Sequence, residues 1–219
     1  MNLSEENITL AFLVIGWLLF APMFIWSVMT APWHKVAGDS GAQHVLLAAT
    51  AVVFFTWQLA AGLGSGISFH FLLMTLATLM FGVRFTVLAM TLALLGVTFE
   101  SDLGWSVFGL NALLMGLLPI VITHLLLLFS RRYLEPNFFV YVFFNAFLAG
   151  AVGVVASLGL GAWVMWVSES QTLATLKEVF IPFIPLMSTP EGFLNGMLIA
   201  VLILFKPNWV SSFKEGGKL

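Results

Sequence analysis

The chain has 219 residues, 61% hydrophobic and only 8% charged, whereas a soluble domain carries about 25% charged residues to keep its surface wetted; water is excluded as its main solvent. A formal net charge of -2, with eight scattered basic residues, offers no patch for nucleic acid. With no cysteine there is no disulfide, thiolate metal site or thiol nucleophile, which leaves nitrogen, oxygen or methionine sulfur to hold any metal.

The acidic opening Met1-Asn2-Leu3-Ser4-Glu5-Glu6-Asn7 lacks the basic leader of a signal peptide. The mature chain is expected to begin at Met1 and to keep its first hydrophobic run as a helix. That run covers about 9–29, and a polar stretch through Lys35 and Asp39 leads to a second span at about 44–63. After the turn Gly64-Ser65-Gly66-Ile67-Ser68, two apolar pieces, 70–82 and 83–96, meet at Arg84. At about 1.5 Å per residue each reaches only some 20 Å, so the preferred reading is a hairpin of two short helices, the alternative one long helix with a buried arginine. A loop with Glu100 and Asp102 precedes a span at about 105–130, stopped by Arg131-Arg132, and Pro136 opens a long span to about 168. A polar loop with Glu169 and Lys177 leads to the last span, about 179–205, interrupted by Pro182, Pro185 and Pro190.

Runs this long cross a hydrocarbon core about 30 Å thick, and in lipid a helix satisfies its own backbone. A membrane barrel would alternate apolar with polar positions, and Leu125-Leu126-Leu127-Leu128-Phe129 does not. The expected fold is an all-α bundle of about seven transmembrane helices in one domain, 1–219, with a short acidic segment at 1–8 and a polar tail at 206–219. Positive flanks stay cytoplasmic. Seven spans with the N-terminus outside put Lys35, Arg84, Arg131, Arg132, Lys206, Lys214 and Lys218 inside and leave Lys177 outside, while Glu5, Glu6, Glu100, Asp102, Glu169 and Glu178 fall outside. The C-terminus is then cytoplasmic, the protein a multi-pass component of the inner (plasma) membrane, and its acidic outer face suits a cation.

Polar residues at membrane depth are costly and are candidate functional groups: His70, Asn111, His124, Asn145, Glu191 and Asn195. His70, after a Gly/Ser-rich turn, reads either as a ligand facing an aqueous funnel or as an interfacial histidine bonded to a loop carbonyl. His34 and His44 read as solvated, and His124 as a packing residue. Glu191, between Pro190 and Gly192, reads equally as a cation ligand where the helix breaks or as an acid capping free backbone amides. Gly150, Gly153, Gly159 and Gly161 read as sites of close helix approach. Gly66-Ile67-Ser68-Phe69-His70 lacks the second glycine of a nucleophile elbow, and there is neither a His-Glu-x-x-His motif nor a Walker lysine. The chain is not expected to be an enzyme or to hydrolyse ATP itself.

Three segments, in order, carry a family resemblance. Gly66-Ile67-Ser68-Phe69-His70-Phe71-Leu72, Gly109-Leu110-Asn111-Ala112-Leu113-Leu114-Met115-Gly116 and Glu191-Gly192-Phe193-Leu194-Asn195-Gly196, followed by Lys206-Pro207, resemble the CbiM/NikM family. These are the substrate-binding membrane components of energy-coupling-factor uptake systems for cobalt and nickel. The resemblance implies uptake of a divalent transition-metal ion, nickel or cobalt first and copper or zinc next, with a transmembrane coupling subunit and ATPase subunits as partners. It also implies a site made by the terminal amine, the second residue's backbone nitrogen and imidazole, and the histidine matching His70. Here that maps onto Met1, Asn2 and His70, with Glu5, Glu6, Ser68, Asn111 and Glu191 as supports. Asn2 departs from the family's histidine, and losing an imidazole shifts metal choice. The alternative it raises is a non-transporting membrane accessory or assembly factor.

Overall fold

The computed structural model describes residues 3–5, 8–59, 61–62 and 68–213, with only the backbone described at 61–62, 68–69 and 179. Among the described residues, besides two short 3-10 turns, seven helices run in chain order: α1 (Leu10–Thr30), α2 (Ser40–Gln58), α3 (Met74–Glu100), α4 (Phe108–Tyr133), α5 (Phe138–Val167), α6 (Leu173–Thr175, continuing through Leu176–Phe180) and α7 (Phe183–Phe205). All but α6 are long and apolar enough to cross a membrane. A two-residue antiparallel pair, β1 (Ala61–Gly62) with β2 (Ser68–Phe69), closes the loop before α3.

The helices start where short polar side chains take up otherwise unpaired amides. Asp39 Oδ1 accepts from Ala42 N at 3.0 Å ahead of α2, and Asn137 Oδ1 from Val140 N at 2.8 Å ahead of α5. Lipid-facing positions remain apolar: Leu10, Leu18, Leu47, Phe55, Phe99 and Leu204 are exposed, as expected where hydrocarbon is the solvent. Where helices cross closely, side chains are absent. A Cβ on Gly16 of α1 would lie 2.4 Å from Leu110 N, and one on Gly109 of α4 2.7 Å from Trp17 N, so the two backbones touch through paired glycines. Gly150 and Gly153 of α5 likewise face Asn195 and Pro119. Gly159, also expected at a close approach, faces open space.

α3 is two arms. Gly82 takes φ 75° and ψ 168°, a conformation essentially confined to glycine, and breaks the helix into residues 74–81 and 83–100. The contacts show that the chain reverses there. Leu72 and Leu73 lie at Glu191, near the middle of α7, and Met80 O accepts from Ser211 N beyond the end of α7. Past the break, Arg84 sits 4.9 Å over Trp26 and Phe85 packs on Trp33, at the end of α1. The second arm then climbs to Glu100, whose carboxylate takes a hydrogen bond from Gln58 at the end of α2. The hairpin at Arg84 is therefore present, with its turn at Gly82. The first arm, with residues 70–73 ahead of it, thus runs antiparallel to the second, and the start of α1 and the end of α7 lie at opposite ends of the bundle.

An isolated eight-residue helix is marginal in water. This first arm is held at both ends by other elements: α7 satisfies its amides, and at its far end Leu79 O accepts from Ser212 Oγ at 2.6 Å. Ser212 is itself bonded to Tyr141, and its carbonyl takes Arg131 at 2.8 Å. Midway, Thr75 Oγ1 and Thr123 Oγ1 share a buried hydrogen bond of 2.7 Å with α4.

Two expectations about the last span are corrected. The stretch expected as a polar loop with Lys177 carries helix α6, and α7 begins at Phe183 and runs unbroken through Glu191. Pro182 precedes the helix and Pro185 sits in its first turn, where no intrahelical amide is needed; only Pro190 removes an internal bond.

Candidate metal site

His70 lies four residues before α3 and is buried, 6% exposed. Its Nδ1 is 3.2 Å from Phe71 O. With Nδ1 donating to that carbonyl, Nε2 carries the lone pair, the tautomer a metal ligand requires. The ring packs against Trp57 of α2 at a centroid distance of 5.6 Å, and Trp57 Nε1 donates to Leu72 O at 3.2 Å, so one tryptophan steadies both the ring and the backbone behind it.

That backbone turns sharply. Leu73 adopts φ 58°, and the amides of Leu72 and Leu73 point at one group, the Glu191 carboxylate. Leu72 N donates to Oε2 and Leu73 N to Oε1, each at 2.8 Å, and Asn195 Nδ2 reaches Oε1 at 2.9 Å. One turn along α7, Asn195 Oδ1 accepts from Leu76 N at 2.7 Å. Glu191 and Asn195 are 2% and 0% exposed. Three N–H donors meet two acceptor oxygens where no water competes, so the geometry favours the capping reading of Glu191. It places the carboxyl oxygens at the amide end of the first arm, where backbone donors lack helical partners.

Asn111 does similar work from α4. Its Oδ1 accepts from Leu3 N and its Nδ2 donates to Leu3 O, both at 2.9 Å, so it grips both polar groups of one backbone unit. Leu3 is buried. Met115, one turn further along α4, lines a small cavity of about 10 Å³ together with His70, Leu72, Leu114, Val154, Ser157, Leu158 and Met187, about the room one water-sized body needs. Asn111 and Met115 are four apart and share a helix face. The start of the chain is thus anchored one turn from the His70 cavity.

The other expected residues divide. Met1, Asn2 and Glu6 lie outside the described residues, as does the side chain of Ser68. Glu5 engages the loop at 103–106 instead: its backbone N donates to Leu103 O at 3.0 Å, and its carboxylate accepts from the backbone and hydroxyl of Ser106. Asn145 is buried in α5, His124 is half-buried in α4, and His34 and His44 are exposed. Residues that sequence reasoning missed are Trp57, Ser157, Met115 and Met187. Pro119 was the available signal for Met115: a proline inside a helix withholds an amide from the preceding turn, and the preceding stretch, Ala112–Leu117, is π-helical, a widening frequent at functional sites.

A family model described as CbiM, cobalt uptake substrate-specific transmembrane region, matches residues 2–209. Two crystal structures have similar folds. One, described as a truncated transition metal transporter, has a TM-score of 0.74 at 16% identity, covering 93% of this chain and 99% of that one. The other, described as a transition metal transporter, has a TM-score of 0.71 at 17% identity, covering 92% of each chain. No curated protein sequence matches the chain.

Proposed function

The chain belongs to the CbiM family of cobalt-uptake transmembrane regions, and from that premise we propose that it is the substrate-binding membrane component for uptake of a transition-metal ion, held between His70 and the start of the chain. One observation carries this: the buried imidazole lines a small cavity with Met115, and one turn back along α4 from Met115 the Asn111 amide grips the backbone of Leu3. Both are held by hydrogen-bonded supports, as metal sites need outer partners to aim their ligands.

In this reading the ligands are His70, the amine of Met1 and the amide nitrogen of Asn2, with a divalent ion of the cobalt or nickel class as cargo. Asn111 and Glu191 act as positioning residues. Ser68, two residues before His70 in sequence, and Glu6 are further oxygen donors in this reading. Glu5 fastens that segment to the neighbouring loop. The end bearing the start of α1 faces outward, because the lysines and arginines flanking the other end match the cytoplasmic rule. An inner-membrane location, and an energised cycle run by a separate coupling subunit with ATPases, follow from the same reading. The ordered scaffold around His70 favours transport over the accessory role that Asn2 alone suggested.

The test is titration of purified, detergent-solubilised protein with nickel, cobalt, copper and zinc ions, native chain against His70→Ala. Near-unit binding that the substitution removes is the expected result. Equal binding by both proteins for every ion would sink the assignment.

A further inference from the structure

The His70 cavity has a second chemical character that the amine-and-imidazole reading leaves unused. Two of its walls are methionines, Met115 from the π-helical stretch of α4 and Met187 from α7. Methionine is the only sulfur this chain possesses. A thioether is a soft, neutral donor that prefers monovalent copper, whereas imidazole and amine nitrogen suit nickel, cobalt and divalent copper, and carboxylate or carbonyl oxygen suits harder ions.

Resting on the site proposed above, we propose that Met115 and Met187 are specificity-determining residues whose thioethers, beside the His70 imidazole, extend the cavity's range to cuprous ion. Two considerations support this. The two side chains come from helices far apart in sequence and meet at the cavity holding the buried imidazole, so their convergence belongs to the fold and not to one helix's periodicity. The residues that complete the lining, Leu72, Leu114, Val154 and Leu158, are aliphatic, and Ser157 Oγ is committed as a donor to Gly153 O at 2.8 Å. Beside His70, the sulfurs are then the electron-rich side-chain atoms of the lining best suited to a soft cation.

Methionine also fills irregular gaps in cores, and that role predicts no metal selectivity. The deciding experiment measures affinity for cuprous ion, kept reduced under anaerobic conditions and competed against a chromogenic chelator, and for nickel ion by direct titration. The proteins are the native chain, the Met115→Leu/Met187→Leu double variant and His70→Ala. Leucine for methionine nearly conserves volume and is tolerated in cores, and a matching melting curve for the double variant verifies the fold. The inference expects the double variant to lose cuprous affinity by about tenfold or more, a loss of at least about 1.4 kcal/mol, with nickel affinity unchanged, and His70→Ala to lose both ions. A double variant that binds cuprous ion as the native chain does, while His70→Ala does not, overturns the role of the sulfurs and leaves the metal site standing. If His70→Ala binds every ion as the native chain does, the site itself is wrong and this inference falls with it.

Discussion

Glu191 and Asn111 are placed where the membrane interior makes each polar group either partnered or expensive. The Glu191 oxygens take the amides of Leu72 and Leu73 and the amide of Asn195. Glu191→Gln keeps one oxygen and turns an NH2 group toward a backbone donor. Leaving one buried donor unsatisfied costs about 1–3 kcal/mol, so the variant should melt at a lower temperature in detergent and bind metal more weakly. An unchanged melting curve would mean that the carboxylate is dispensable as a cap. Asn111→Ala removes both bonds to Leu3 while leaving α4 intact. Its expected signature is a metal affinity lower by roughly 10–100-fold, the usual effect of losing a ligand's support, with a smaller effect on melting. A variant that binds metal as the native protein does would dissociate the Leu3 anchor from the site.

At the scale of elements, the device that matters is the short first arm of α3, too brief to persist unaided and held at both ends by other segments. Its reversal depends on Gly82 at φ 75°. A side chain there is strained whatever the space, and Gly82→Ala should destabilise the protein by about 1–3 kcal/mol. Because His70 hangs from the top of this arm, the same variant should weaken metal binding although no ligand is altered. A native melting curve would show that the turn does not depend on glycine. The hairpin was legible in the sequence from two apolar pieces too short to cross alone. Its turn residue was not legible, since a glycine inside an apolar run reads equally well as helix packing. The run of α7 through Pro190 was misjudged for a related reason: one lost amide bond inside a long helix is affordable when the neighbouring turns are packed.

For the whole molecule, the start of α1 and the end of α7 lie at opposite ends of the bundle, and the proposed orientation has the start of α1 outside. The lack of cysteine makes this testable without background. A membrane-impermeant thiol reagent applied to intact cells should label Ser4→Cys and leave Ser211→Cys unlabelled until the membrane is opened. The reverse pattern would invert the assigned orientation, and labelling of both in intact cells would remove one traverse.

Composition and hydropathy alone determined that the chain lives in a bilayer, that its secondary structure is helical and roughly where the spans lie, because helix length and apolar content are local properties imposed by the thickness of the hydrocarbon. The polar exceptions His70, Asn111, Glu191 and Asn195 were legible for the same reason: each is conspicuous against an apolar background. Which groups each one meets was decided only by the tertiary structure. Glu191 could read equally as a ligand or a cap until α7 was seen to set it against the amides of Leu72 and Leu73, 119 and 118 residues away in sequence. Met115 and Met187 were invisible as a pair because in the sequence they are two ordinary apolar residues. Hydrogen-bond partners and cavity walls depend on which helix faces cross, and long-range packing, not local periodicity, decides that.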